Sequence, residues 1–172
     1  MDDRTHGVTG EQGARSVGER RAQRRAVVGA AVLDDAAAPT RMLLGRRSAP
    51  AALAGLWEFP GGKIEPGEGA ASALHRELAE ELGVRVRLGA EVPAPEGEGW
   101  PLANGRRLHV FLAVLADGSA APSPLQDHDR LEWCPLERAA LHALDWIPAD
   151  RPIVDALLDL LQSGTQDLLP GG

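Results

Sequence analysis

The stretch from Ala70 to Leu82 constrains this chain more than any other part of its sequence. It is rich in Ala, Leu and Glu, which favour helix, and it stops at Gly83, the residue that most readily takes a left-handed helix end. Ala71, Leu74, Leu78 and Leu82 follow the helical repeat and predict an apolar stripe able to dock on a sheet. On the neighbouring face Glu77, Glu80 and Glu81 stand at i, i+3 and i+4. Like charges at that spacing repel by about 0.2–0.5 kcal/mol per pair. The positions four residues further on are Glu81, Val84 and Arg85, which give little relief within the helix. A hard divalent cation relieves such a face, because Mg²⁺ takes one or two carboxylates together with waters and phosphate oxygens. Arg76 projects from the flank of the acidic face, placed to hold a glutamate by a forked hydrogen bond. Gly61-Gly62, just upstream, lets backbone approach a metal or phosphate closely. Singly, each glutamate reads as a solvated surface residue; together they read as a metal site.

Around this helix the sequence predicts short strands. Ala26–Leu33 and Leu108–Leu115 are near-continuous apolar runs, Arg41–Arg47 is a second strand, and Leu56–Gly62 runs from strand into a tight Gly-rich loop. Val84–Leu88 alternates apolar and charged residues, residues 91–99 form a Pro/Gly loop, and Leu131–Trp133 is a shorter strand. A short helix follows from about Leu136. The last helix starts near Asp150, a candidate N-cap with Pro152 in the first turn, and stops before Gly164. The order β, β, loop, α, β, β, β, α, α predicts an α/β (α+β) fold with a mixed sheet between helices. Residues 1–25 read as a disordered tail, 26–163 as one domain and 164–172 as a flexible tail. The basic cluster Glu19–Arg25 reads as a solvated extension, with a nucleic-acid arm as the alternative.

Bulk properties exclude several roles. A length of 172 residues suits one core, and a net charge of −7 repels polymeric nucleic acid and anionic membranes. A phosphate-bearing substrate must therefore be captured by local cations or a metal. No apolar run approaches the roughly 20 residues that span a bilayer. The N-terminus lacks a signal-peptide core, and the lone Cys134 cannot form an internal disulfide. These features predict a cytoplasmic protein.

The segment Gly62-x5-Glu68-x7-Arg76-Glu77-Leu78-x-Glu80-Glu81-x-Gly83-Val84 resembles the Nudix box at all its fixed positions. The resemblance extends over most of residues 26–160 and looks closest to the MutT-like branch. It implies the Nudix fold and a hydrolase that cleaves a nucleoside diphosphate linked to another group, with water activated by Mg²⁺, for which Mn²⁺ substitutes. It implies Glu77, Glu80 and Glu81 as metal ligands, aided by the Gly61 or Gly62 carbonyl. Glu68 supports the loop-to-helix geometry, Arg76 orients the glutamates, and Gly83 stops the helix. MutT-like members attack the β-phosphorus and release a nucleoside monophosphate and pyrophosphate. Outside the box, Arg47 resembles an arginine that contacts the nucleotide; an exposed charge after a strand is the other reading. Asp127 falls where many relatives carry a metal-binding or basic glutamate, and the shorter side chain leaves its role open. His128 beside it reads as a loop histidine.

The base pocket must be sought outside the box. Leu144–Asp150 resembles the base-recognition loop of MutT-like enzymes, and Trp-x-Pro-Ala-Asp resembles the CTP pyrophosphohydrolase branch. Asp150 stands where the 8-oxoguanine-specific type has asparagine; a carboxylate only accepts hydrogen bonds and suits the cytosine amino group. The alternative is that Asp150 merely caps the final helix. Trp146, Phe59 and Glu58 join the substrate-side candidates, although Phe59 and Trp57 read equally well as core, and Trp146 as a plug between loop and sheet. The expected substrate is CTP or dCTP, with 5-methylated forms included. The alternatives are 8-oxo-dGTP, a sugar nucleotide, or a non-catalytic nucleotide-sensing module, and the expected assembly is a monomer or homodimer.

Overall fold

Two apolar runs without the alternation of a one-sided strand imply two strands covered on both faces. The computed structural model describes residues 26–164 and 168–169. Its strands are β1 (Ala26–Leu33), β2 (Arg41–Arg47), β3 (Trp57–Glu58) and β4 (Gly61–Lys63), then, after helix α1 (Ala70–Leu82), β5 (Val86–Glu91), β6 (Trp100–Pro101), β7 (Arg107–Leu115) and β8 (His128–Pro135). Helices α2 (Arg138–His142) and α3 (Arg151–Gln162) complete the order. The two runs are β1 and β7, and they pair in parallel along their length, from Ala26 beside Arg107 to Leu33 beside Val114. The other pairings are antiparallel, so the sheet is mixed.

Successive residues of β1 point to opposite faces, and each face has its own core. Val28, Ala30 and Val32 pack with Leu74, Leu78 and Leu82 of α1. Ala31 and Leu33 join Leu112, Leu141, Ile153 and Leu157 beneath α2 and α3. The sheet is therefore sandwiched between helices, as expected.

The free edge of β1 changes partner midway. Val27–Gly29 pair with Lys63–Gly61 of β4, whereas Val32 and Leu33 pair with Leu43 and Met42 of β2. Beyond that point β2 takes β3 instead, with Gly45 beside Glu58. The Phe59-Pro60 link fills the split, and Ala30 N–H donates to the Pro60 carbonyl at 2.9 Å. Gly61 is obligatory here. Its φ is +152°, and a side chain would collide with the Val28 carbonyl.

Helix α1 ends as its sequence predicts, with Gly83 at φ +68° donating to the Ala79 carbonyl and Val84 N–H to that of Leu78. The β7–β8 loop closes the same end from outside: Leu125 N–H donates to the Glu81 carbonyl at 2.8 Å, and Ser123 N–H to that of Leu82 at 3.1 Å. Four expectations shift. Ala71 is exposed and Ala73 takes its place against the sheet. The strand expected at Val84–Leu88 lies at Val86–Glu91. The short strand at Leu131–Trp133 is the middle of the eight-residue β8, because β2 pairs with it from Arg41 to Arg47. Within the expected C-terminal tail, Leu169 is buried in the core and the Leu168 carbonyl accepts from Ala90 N–H at 2.7 Å. The expected N-terminal tail, residues 1–25, lies outside the described residues. No helix among the described residues is long and apolar enough to cross a membrane.

Candidate active site

The split in the sheet brings the Gly-Gly loop against the acidic face of α1. Arg76 organises this face. Its Nε and Nη2 donate to the two oxygens of Glu68 at 3.1 and 2.9 Å, a forked pair. Nη1 donates to Glu77 at 2.8 Å and reaches Glu80 at 3.4 Å, while Nη2 also donates to the Lys63 carbonyl at 3.0 Å. Relief of the acidic face thus comes from four residues upstream of Glu80, not from the positions downstream of the glutamates. The forked bond from Arg76, with Glu65 N–H, holds the Glu68 carboxyl below its ordinary pKa. The glycine at 62 is needed for contact, since a Cβ there would overlap the Glu77 carboxylate.

Glu81 differs from its neighbours in being buried, at 6% exposure. One carboxylate oxygen accepts from Gly61 N–H at 3.0 Å. Burial pushes its pKa up to about 7; the His128 charge opposes this and the Glu58 charge adds to it. A carboxylate desolvated to this degree gains most from a cation.

A second polar network lies beside Glu81. Glu58 accepts from Arg47 Nη1 at 2.8 Å, and its same oxygen lies 2.9 Å from His128 Nε2. Arg47 Nη2 reaches Asp127 at 3.4 Å, and its Nε donates to the Ala49 carbonyl at 2.8 Å. Of the two readings of Arg47, the exposed charge is overturned: its side chain is only 15% exposed and is engaged with carboxylates. Asp127 stays 58% exposed. His128 is not a loop histidine. It opens β8, and its side chain is fully enclosed. Burial alone would lower its pKa, but the bond to Glu58 and the charges of Glu81 and Glu58 raise it. The sequence carried one signal for it: Gly45 interrupts the strand Arg41–Arg47, and a strand glycine marks close approach by another group. That group is the His128 ring.

Asp150 precedes α3, but its side chain makes no capping bond. The carboxylate instead turns inward, 4% exposed as a residue, and accepts from Phe59 N–H at 3.3 Å. Burial and then the Glu58 charge push its pKa up to about 7. Trp146 plugs the gap between loop and sheet: its indole N–H donates to the Leu141 carbonyl at 2.7 Å, and its ring lies 5.3 Å from that of Phe59. Trp57 and Phe59 are core residues, and Trp57 N–H ties the loop through the Asp145 carbonyl at 2.8 Å.

Among the described residues, no three His, Cys, Asp or Glu side chains converge as a ready-made cage. Glu77 and Glu80 lean on Arg76, and Glu81 on Gly61. The donor chemistry still fits a hard divalent ion, with oxygen donors from one helix face and a side-chain-free backbone at Gly62 that the Glu77 carboxylate abuts.

The NUDIX domain family matches residues 23–157. The chain belongs to this family and is a Nudix hydrolase. Enzymes of the family generally use a divalent metal such as Mg²⁺. The chain is 38% identical over 120 residues to the CTP pyrophosphohydrolase of Escherichia coli K12, covering 70% of this chain and 84% of that protein. It is also 38% identical over 129 residues to "Putative 8-oxo-dGTP diphosphatase 2" of Mycobacterium tuberculosis H37Rv, covering 74% and 86%. Among solved structures, the E. coli ORF135 protein superposes with a TM-score of 0.63 at 34% identity, over 80% of this chain and 91% of that one. The MutT protein of Methanosarcina mazei shares the fold at a TM-score of 0.61 and 21% identity, over 80% and 94%.

Proposed function

We propose that this Nudix hydrolase cleaves nucleoside triphosphates by attack of water on the β-phosphorus, releasing a nucleoside monophosphate and pyrophosphate. Cytosine nucleotides, CTP and dCTP with their 5-methylated forms, are the preferred substrates. The observation that carries the base preference is Asp150. Its carboxylate is withdrawn from helix capping and, among the described residues, is held by one backbone donor, Phe59 N–H, which leaves acceptor capacity for the exocyclic amino group of cytosine. The resemblance to the CTP pyrophosphohydrolase of E. coli supports the same choice.

Glu77, Glu80 and Glu81 would hold Mg²⁺, with carbonyl oxygens of Gly61 or Gly62. When bound, the ion lowers the pKa of the attacking water and neutralises phosphate charge. Arg76 Nη1 bridges Glu77 and Glu80 and holds both carboxylates on one flank of α1. Arg47 offers a guanidinium to the phosphates, exchanging part of its hold on Glu58 and Asp127. Asp127, exposed and bound to Arg47 at 3.4 Å, is the carboxylate available to accept the proton of the water. Trp146 and Phe59 back the pocket from the core.

A second reading is favoured by the raised pKa of Asp150. With a value of about 7, part of the population carries a proton near neutrality and can donate as well as accept, as asparagine does. That form suits an oxidised guanine such as 8-oxo-dGTP. The two readings separate on a panel of CTP, dCTP, 5-methyl-dCTP, dGTP, 8-oxo-dGTP and ADP-ribose with Mg²⁺. Preference for the cytosine compounds is expected; preference for 8-oxo-dGTP would replace the pocket assignment, and ADP-ribose turnover alone would remove both.

A further inference from the structure

The imidazole of His128 is fully enclosed, and neither metal nor substrate roles account for it. We propose that His128 is a positioning residue, fixing Glu58 on one side and Glu81 on the other so that the metal face and the substrate strands keep a set spacing.

Three features carry this. First, the ring has a built slot. A Cβ on Gly45 would lie 2.6 Å from both Cδ2 and Nε2 of His128, so β2 has room for the ring only because residue 45 is glycine. Second, the ring lies between carboxylates from two separate elements. Nε2 is 2.9 Å from Glu58 of β3, and Nδ1, which has no hydrogen-bond partner among the described residues, is 4.0 Å from Glu81 of α1. Arg47 meets the same Glu58 oxygen from β2, so Glu58 is held from two directions, while among the described residues the Glu81 carboxylate accepts a hydrogen bond from Gly61 N–H alone. Third, the loop that delivers the ring is fastened before any substrate arrives. Leu125 N–H bonds the Glu81 carbonyl, the Asp127 carbonyl accepts from Ser48 N–H at 2.8 Å, and Gln126 takes φ +44° between them. A non-glycine residue in that region is held by its surroundings and sets the direction of the chain beyond it. The same loop therefore grips the backbone of Glu81 and presents an imidazole to its side chain.

This rests on Glu81 as a metal ligand, and the test keeps the two claims separable. Mn²⁺ binding by electron paramagnetic resonance, without nucleotide, and kcat and KM for the best substrate are measured on the full chain and three variants. His128→Phe fills the slot but cannot bond Glu58; Gly45→Ala displaces the ring without altering any charged group; His128→Gln restores a donor near the Nε2 position. Outer partners of metal ligands typically contribute about 10–100-fold to affinity or activity. H128F and G45A should weaken Mn²⁺ binding and kcat within that range while KM changes little, and H128Q should recover most of the loss. H128F with wild-type Mn²⁺ affinity and kcat would overturn the proposal, as would H128Q impaired as deeply as H128F. Should the ring variants fail to fold, the imidazole ¹H–¹⁵N spectrum of the wild type decides. A proton on Nε2 is expected, and a bare Nε2 with the proton on Nδ1 would refute the bond to Glu58. Absence of Mn²⁺ binding by the wild type would instead remove the metal assignment of Glu81, and kcat with the ring spectrum would still judge His128.

Discussion

Asp150 and Glu81 are acids that folding drives away from water, and both carry consequences for pH. Each has a folded-state pKa of about 7, above ordinary values of 3.8 and 4.5. A raised acid binds its proton more tightly when folded, so stability falls as pH rises from the unfolded value through the folded one. The contribution of these two acids to the stability of the metal-free protein should therefore fall between about pH 4 and pH 7 and level off above. Asp150→Asn, which keeps an acceptor for Phe59 N–H, should flatten that fall and stabilise the protein at pH 8 by on the order of a few kcal/mol. Thermal melts across pH check this; parallel curves for wild type and variant would mean that Asp150 is not desolvated. The same variant should gain turnover of oxidised guanine if Asp150 reads the base. Glu80→Gln or Glu81→Gln should nearly abolish turnover while leaving the protein folded, with E81Q melting no lower than wild type because it removes a desolvated acid. Wild-type rates in either with Mg²⁺ would remove the ligand assignment. The residues of the box were legible because their spacing is fixed by one helix and one loop. His128 and its link to Glu58 were not, because 70 residues separate the two and only strand pairing joins them.

At the level of elements, α1 was legible from its composition and its glycine stop, and β1, β2 and β7 from apolar runs. The error at Ala71 is instructive: Ala71 and Ala73 lie on nearly opposite sides of the helix, about 160° apart. Ala73 is the one that joins Leu74 and Leu78 in the core, since the buried face is wider than the leucine stripe. The length of β8 could not be read, since His128–Arg130 are polar and become strand only by pairing with β2. Gly83→Ala should cost about 1 kcal/mol by forcing a side chain into the left-handed cap. A chemical denaturation midpoint measures it, and no change would mean that α1 ends by another route. Leu78→Ala, fully buried under the sheet, should cost about 2–5 kcal/mol.

Across the whole molecule, the two helical layers hold the sheet while its split edge carries the chemistry. The layer arrangement followed from element order, but the split did not. It depends on β1 exchanging β4 for β2 at Ala30, a choice made by the glycines at 61 and 62 and by Pro60, which lacks an N–H for a ladder. Residues 168–169 also close on the fold: a side chain on Gly89 would collide with the Leu168 carbonyl, and Leu169 is buried. Leu169→Ala should lower stability by about 2 kcal/mol, whereas a free tail would register no change. The central claim is the reaction itself, and it is tested most directly by hydrolysing CTP with Mg²⁺ in ¹⁸O-labelled water and reading the products by ³¹P NMR. Attack on the β-phosphorus predicts unlabelled CMP, labelled pyrophosphate and no reaction after chelation. Labelled CMP, release of orthophosphate, or turnover indifferent to the chelator would contradict it.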